Sequence, residues 1–124
     1  MAKIKKNDSN QLLLEVAIKG LQDKKAENII CIDMRKLENA VADYFIICTG
    51  TSSTHVSALG GSVEKEIRNT LKERPWHTEG YQNAEWVLLD YINVVVHIFQ
   101  EEQRNFYNLE GLWADAKITK LKQA

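Results

Sequence analysis

The chain has 124 residues, 44% of them hydrophobic and 27% charged, which is enough to bury the core of one domain. Its 16 basic and 17 acidic residues give a net charge of −1, which argues against direct readout of nucleic acid through a broad basic face. The longest apolar runs have the length of a strand, so we expect no membrane span. No apolar segment follows the first lysines, and we therefore expect no secretory signal and a cytoplasmic protein.

The two cysteines, Cys31 and Cys48, each lie inside an apolar run. A free cysteine packs as a small hydrophobe, and the reduced thiol is its ordinary state inside a cell. We therefore expect two buried thiols rather than a disulfide. Two cysteines and three histidines without a pair at ligand spacing predict no zinc site, and we expect no cofactor.

Apolar periodicity predicts two helices and two strands in the first half of the chain. The first helix covers about residues 9–24, and its apolar stripe consists of Leu14, Ala17, Ile18 and Leu21. Two apolar runs, residues 29–32 and 44–48, predict strands. The second helix covers about residues 53–73, ends before Pro75, and has the stripe Val56, Leu59, Val63, Ile67 and Leu71.

The second half of the chain begins with a polar loop, residues 76–84, which contains a Glu79-Gly80 turn. Residues 86–89 and 94–99 predict two strands, joined by a hairpin over residues 90–93. A third helix is predicted over about residues 101–116, with Phe106, Leu109 and Trp113 on a stripe that faces the core. We expect the last eight residues to fray.

These elements predict a single α/β (α+β) domain with the order α-β-β-α-β-β-α and a core from about residue 9 to residue 116. The second strand, second helix and third strand should form a parallel βαβ unit, and the final strand pair should be antiparallel, which gives a mixed four-stranded sheet. Each strand is apolar at consecutive positions, which indicates that both sheet faces are covered. Three helices are too few to cover both faces completely, and an uncovered apolar strip would be a docking surface.

Three motifs resemble one known family. They are Asp43-Tyr44-Phe45-Ile46-Ile47-Cys48-Thr49-Gly50-Thr51-Ser52-Ser53-Thr54-His55-Val56; Glu79-Gly80 followed by residues 84–91; and residues 94–99 followed by Arg104, Phe106-Tyr107 and residues 109–113. In order and in spacing, over about residues 12–116, they are similar to the Iojap-like family of bacterial ribosomal silencing factors. Three motifs in register are a stronger signal than any one of them.

The resemblance implies a fold related to nucleotidyltransferases but without their catalytic carboxylates. It implies a translation repressor that binds the large ribosomal subunit on its L-fourteen protein and blocks joining with the small subunit. The sequence departs from the family pattern at Ile92-Asn93, where Gly-Asp is usual, and this puts the hairpin geometry in question because isoleucine disfavours positive φ. It also departs at Gly60-Gly61, which we attribute to a close approach of the helix backbone to the sheet.

The candidate partner-binding residues lie on the third strand and the turns beside it: Trp86, Leu88, Asp90, Tyr91 and Glu79. Strand alternation places Trp86, Leu88 and Asp90 on one face, and Val87, Leu89 and Tyr91 on the other. Trp86 is either an interface anchor or a core residue. Asp90 and Glu79 either meet basic residues of a ribosomal protein or serve as turn carboxylates.

Two histidines in the motifs, His55 and His97, are interpreted as structural because neither has an evident nucleophile and orienting group beside it. His97 should face away from Val96 and Ile98, its neighbours on the strand.

The alternative function is a nucleotidyltransferase-like enzyme that uses the Gly50-Thr51-Ser52 turn between a strand and a helix. That chemistry requires paired carboxylates for Mg²⁺, and Asp90 alone does not supply a pair. We therefore favour an ordinary helix start over a phosphate site, and a binding protein over an enzyme. A self-associating scaffold such as a homodimer is a third alternative, because a free sheet edge or face could also pair with itself.

Overall fold

A six-stranded sheet organises the computed structural model, which describes residues 6–122, with side chains from residue 9 onward. The elements in chain order are α1 (Lys6–Asp23), β1 (Glu27–Asp33), β2 (Tyr44–Gly50), α2 (Ser53–Leu71), β3 (His77–Glu79), β4 (Trp86–Asp90), β5 (Val94–Gln100), α3 (Glu101–Tyr107), α4 (Leu109–Leu112) and β6 (Lys117–Lys120). The α+β class and the mixed sheet are confirmed. The predicted number of four strands is wrong, because β3 and β6 add an edge strand at each side.

The sheet has the order β3-β4-β5-β2-β1-β6, and its one parallel pairing among the described residues joins β2 to β5. The predicted parallel pairing of the second and third strands is therefore wrong. β4 is antiparallel to β5 through a tight hairpin and lies one position farther from the centre. Burial explains this order: every residue of β2 is buried, and β5 is buried up to its last residue, whereas β4 alternates between buried and half-buried positions.

Helices α1 and α2 pack on one side of the sheet, which we call the helix face. The predicted stripes are confirmed here: Leu14, Ala17, Leu21, Val56, Leu59, Val63 and Ile67 are buried, and Ile18 and Leu71 pack beside them. The two helices approach closely at Gly20, where an added Cβ would lie 3.1 Å from the Val63 Cα, and the Ser62 hydroxyl donates to the Gly20 carbonyl at 2.8 Å. This contact explains a glycine within the last turns of α1.

The second glycine site, in α2, has a different cause from the one predicted. A Cβ at Gly60 would lie 2.5 Å from the Tyr81 hydroxyl, so Gly60 makes room for a loop tyrosine and not for the sheet. The Tyr81 hydroxyl also donates to Glu64 at 2.5 Å. Gly61 has open space around it.

The opposite side of the sheet, which we call the second face, is covered only in part. Ile30, Ile32, Phe45, Ile47, Val95 and Phe99 are buried there with Met34. The partly buried side chains Leu37, Ala40, Ala42, Leu109, Trp113 and Ala116 pack against this cluster from the β1–β2 connection and from the segment after α3. The prediction of two covered faces therefore holds only in part: the helices cover one face, and irregular segments cover some of the other, where too few helices were expected for complete cover.

The predicted third helix over residues 101–116 breaks at Asn108, whose backbone is left-handed with φ 46°. The apolar stripe does not continue through the break, so Leu109 and Trp113 pack on the second face whereas Phe106 is 79% exposed. The prediction of Phe106 as a core residue is wrong. The prediction of a frayed end is also wrong, because residues 117–120 form β6 against β1.

Arg104 fastens this irregular segment to the sheet. Its Nη1 donates to the Asn28 carbonyl at 2.7 Å and to the Thr49 hydroxyl at 2.9 Å, and its Nε donates to Glu110 at 3.0 Å. The side chain is buried, so these bonds replace the water that its charge would otherwise require. Arg104 thereby joins a bulge in β1, the end of β2 and the short helix α4.

Both cysteines are free; the prediction of a buried thiol is confirmed for Cys48 and is wrong for Cys31, which is half-buried in the sheet. Burial raises the pKa of the Cys48 thiol to about 12 and of the Cys31 thiol to about 11, so both remain protonated at neutral pH.

Candidate partner-binding site

The register of the sheet aligns two rows of side chains on the second face. Directly opposite residues share a face, so Glu79, Leu88, His97 and Ile47 form one row across β3, β4, β5 and β2. His77, Asp90, Val95 and Phe45 form the next row. The rows begin with charged or polar residues at the β3 edge and become apolar toward the centre of the sheet.

A depression of about 550 Å³ lies over these rows, and we call it the docking cleft. Its lining residues are Val41, Phe45, Trp76, Leu88, Asp90, Ile92, Val95 and His97. Six of these eight are apolar, and Asp90 and His97 are the polar ones. A concave apolar surface with a few placed polar groups is the usual form of a binding site.

Exposed apolar side chains surround the mouth of the docking cleft. Trp76 is 72% exposed, Val41 72% and Ile92 59%, although all three are large hydrophobic residues. They come from three segments: the end of the α2–β3 connection, the β1–β2 connection and the β4–β5 hairpin. Such clustered exposure is typical of a surface that another molecule covers.

The predicted site residue Trp86 lies beside the docking cleft, half-buried in a group of aromatic rings. Its indole stacks on Phe99 with ring centroids 4.8 Å apart and contacts Tyr107 at the same centroid distance. Its Nε1 donates to His97 Nδ1 at 3.1 Å. The two interpretations of Trp86 are thus not exclusive, because the side chain packs against the core of the second face and is only partly buried.

Leu88, Asp90 and Glu79 all lie on the second face, as the alternation predicts for the first two. Asp90 Oδ1 accepts from the Ile92 backbone N–H at 2.7 Å, so Asp90 does serve as a turn carboxylate while it lines the cleft. Glu79 is exposed and pairs with His77 at 2.8 Å. The carboxylates of Asp90 and Glu79 give this side of the cleft an acidic rim.

Tyr91 lies apart from the other four predicted residues. It is only 8% exposed and packs in the core of the helix face with Val87 and Leu89, as its place in the alternation requires. A partner that docks on the second face does not reach it, so Tyr91 is left out of the proposed site.

His97 faces away from Val96 and Ile98, as predicted, and forms part of the cleft floor. It is 3% exposed, and the edge of the Phe45 ring packs against it with centroids 4.5 Å apart. Burial lowers the pKa of His97 to about 3, so the ring is neutral at physiological pH.

Sequence reasoning missed Trp76, Val41 and Ile92 as members of the site. Each lies in a connection, where apolar periodicity has no meaning. The available signal was the presence of a tryptophan in a polar loop directly after Pro75, since a large aromatic residue there has no strand or helix to bury it.

The Gly50-Thr51-Ser52 turn is the start of α2. The Ser52 hydroxyl accepts from the His55 backbone N–H at 3.1 Å, and the Thr51 backbone N–H donates to His55 Nδ1 at 2.9 Å. His55 Nε2 lies 2.7 Å from the Lys24 carbonyl, so this histidine ties the turn to the end of α1. These bonds use backbone N–H groups that a bound phosphate would need.

Neither a metal cluster nor a membrane span is present in the part of the chain that the structure describes. Within residues 6–122, no three His, Cys, Asp or Glu side chains are placed to hold a metal ion. None of the helices described in that range combines the length and the apolar character that a bilayer crossing requires.

Comparison with known proteins identifies the family of the chain. A family model described as "Ribosomal silencing factor during starvation" matches residues 6–124. Two relatives named "Ribosomal silencing factor RsfS" are 40% and 39% identical: that of Halalkalibacterium halodurans, over 92% of this chain and 96% of the relative, and that of Bacillus subtilis, over 88% and 91%. Both names refer to the silencing of ribosomes.

More distant relatives include "Protein Iojap-related, mitochondrial" of Arabidopsis thaliana, 31% identical over 87% of this chain and 60% of that protein. A mouse relative, "Mitochondrial assembly of ribosomal large subunit protein 1", is 28% identical over 81% of this chain and 44% of its own length. The crystal structure of protein CV0518 from Chromobacterium violaceum matches with a TM-score of 0.79 and 33% identity, over 92% of this chain and 93% of that one. The predicted resemblance is confirmed, and the chain belongs to the ribosomal silencing factor family.

Proposed function

We propose that the chain represses translation by binding the large ribosomal subunit through the docking cleft, on the L-fourteen protein, and by blocking access of the small subunit. The observation that carries the proposal is the cleft itself: an apolar concavity with an acidic rim in a member of a ribosomal silencing family. A basic ribosomal protein with an exposed apolar side chain is complementary to such a surface.

The mechanism is steric and requires no reaction. A folded domain of 14.2 kDa that occupies one face of the large subunit excludes a second large body from that face. The mouse relative's name refers to the large subunit, which supports the choice of that subunit over the small one.

Co-sedimentation with separated ribosomal subunits tests the binding step. We expect the wild-type chain to sediment with large subunits and not with small ones. Trp76→Ala removes an exposed cleft aromatic without opening the core and should weaken binding at least about tenfold, as truncation of an interface anchor does. Trp86→Ala should weaken it further, but it also disturbs the aromatic group, so its fold must be checked by circular dichroism.

A matched control is Phe106→Ala, which removes an equally exposed aromatic side chain outside the cleft and should leave binding unchanged. Sedimentation of the wild-type chain with neither subunit would refute the proposed function. Binding that is insensitive to Trp76→Ala would refute only the site. The blocking step is measured by adding small subunits to preloaded large subunits, where formation of the joined particle should fall.

A further inference from the structure

His97 has one ring nitrogen with a partner and one without. Its Nδ1 lies 3.1 Å from Trp86 Nε1, and an indole N–H can only donate. Nδ1 must therefore be the acceptor, and the proton of the neutral ring must lie on Nε2. Nε2 is buried and has no hydrogen-bond partner among the described residues. Buried donors are nearly always paired, so an unpaired N–H on a 97%-buried ring in a cleft floor indicates a partner outside the chain.

The protonation state of the ring limits what that partner can be. Burial lowers the pKa of His97 to about 3, so at neutral pH the ring offers a dipole and not a positive charge. The carboxylates nearest to it on the two rows are Glu79, at the edge of its own row, and Asp90, in the next row, and His77 lies opposite Asp90 and bonds to Glu79. An anionic ligand would gain no ion pair from His97 and would be repelled by the rim. The chemistry favours a neutral acceptor carried by a basic molecule.

We propose that the docking cleft binds a segment of a basic protein that places a neutral oxygen, a backbone carbonyl or a side-chain amide, against His97 Nε2–H. An apolar side chain of the same segment packs between Trp76, Leu88 and Ile92, which line the cleft. Nε2 is covered in the unbound chain, so binding must be accompanied by a side-chain movement at the cleft floor that uncovers it. The inference rests on the proposed function and specifies the recognition chemistry of its site.

The test uses purified large ribosomal subunits and the full chain. His97→Phe retains a flat apolar ring but removes both nitrogens, and we expect it to weaken binding about tenfold because the partner's oxygen is left buried and unpaired. His97→Gln retains an N–H donor near the position of Nε2 and should bind within a few-fold of the wild type. The Gln variant distinguishes a hydrogen bond from a merely structural role for the ring.

Val96→Ala is the control for lost stability, because Val96 is the adjacent β5 residue but faces the helix core. It should lower the midpoint of thermal unfolding and leave binding unchanged. Equal binding by wild type and His97→Phe would overturn the inference, and so would equal weakening by His97→Phe and Val96→Ala. If the wild-type chain binds no large subunits, the proposed function fails as well, so the two failures can be told apart.

A photo-crosslinker identifies the class of the partner. With Trp76→p-benzoylphenylalanine on the rim, the adduct formed on large subunits should contain a ribosomal protein. Crosslinking only to ribosomal RNA, or only to a second copy of this chain, would contradict a basic protein segment as the occupant.

Discussion

At the scale of single residues, the neutral histidine in the cleft floor is the side chain with the clearest energetic consequence. His97 is shielded from water by Phe45, Trp86 and the strands on either side, and the folded state binds its proton far less readily than the unfolded chain does. A buried histidine of this kind makes stability depend on pH, and the sign follows from which state takes up the proton first.

The folded pKa of His97, about 3, lies below the ordinary value of 6.5, so its contribution is fully present above pH 6.5 and is lost as pH falls toward 3. Between those pH values the unfolded chain binds about one proton more than the folded chain. The contribution of His97 should therefore lower the free energy of unfolding by about 1.4 kcal/mol for each unit by which the pH falls. Urea titrations at several pH values should show a shallower slope for His97→Phe than for the wild type. Identical slopes for the two proteins, with Val96→Ala as a stability control, would contradict the assignment.

At the scale of elements, helix α2 contains two adjacent glycines whose surroundings differ. Gly60 is buried against the Tyr81 ring, and Gly61 faces open space on the exposed side. The same substitution at the two positions should therefore have opposite effects, which makes them a matched pair.

Gly61→Ala should raise the free energy of unfolding by about 0.5–1 kcal/mol, the difference in helix propensity. Gly60→Ala should lower it by about 1–3 kcal/mol, because the new methyl group displaces Tyr81 from its bond with Glu64. Both changes are measured by urea unfolding. Effects of the same sign would show that the contact with Tyr81 does not constrain the helix.

The elements that were predicted well from the sequence are those whose apolar pattern continues over many residues. The stripes of α1 and α2 and the runs of β2, β4 and β5 are of this kind. The edge strands β3 and β6 were missed because His77–Glu79 and Lys117–Lys120 are held by backbone pairing to a neighbour and carry little apolar signal. The break at Asn108 was missed because a single left-handed residue does not change the spacing of the apolar residues from which the helix was predicted. The relation to nucleotidyltransferases stays a prediction.

At the scale of the whole molecule, the two faces of the sheet differ: one is packed against helices, and the other carries the docking cleft. The helix face carries the close packing of α1 and α2, whereas the second face leaves the cleft between irregular segments and the β4–β5 hairpin. Strand alternation was sufficient to predict which residues of β4 share the second face. It could not predict the cleft, because Val41, Trp76 and Ile92 converge from distant connections only once the sheet has formed.

Ile92 affects both the stability of the chain and the proposed docking, because its backbone is strained and its side chain lines the cleft. Its φ of 74° is a left-handed conformation that a β-branched residue adopts at a cost of about 1–3 kcal/mol, and the Asp90 carboxylate helps to hold it. Ile92→Gly should therefore raise the free energy of unfolding by about 1 kcal/mol, after the entropy of a new glycine is counted. The same variant should bind large subunits more weakly, because it removes an apolar side chain from the cleft.

Urea unfolding and co-sedimentation with large subunits, measured on one preparation of Ile92→Gly, test whether stability rises while binding weakens. Asn108→Gly is the control, since Asn108 is also left-handed but lies outside the cleft, and it should leave binding unchanged. A less stable Ile92→Gly, or one that binds like the wild type, would count against a strained hairpin residue retained for docking.

The parallel contact between β2 and β5 joins two strands that are distant in the sequence. Residues 44–50 pair with residues 94–100, so formation of the central ladder closes a loop that contains α2, β3 and β4. Closing so long a loop costs entropy before any hydrogen bond of the ladder is gained, which slows folding relative to a sheet of adjacent hairpins. Phe45, Val95 and His97 of the cleft lie on these same two strands, so the cleft requires this long-range pairing and cannot be formed by any local segment of the chain alone.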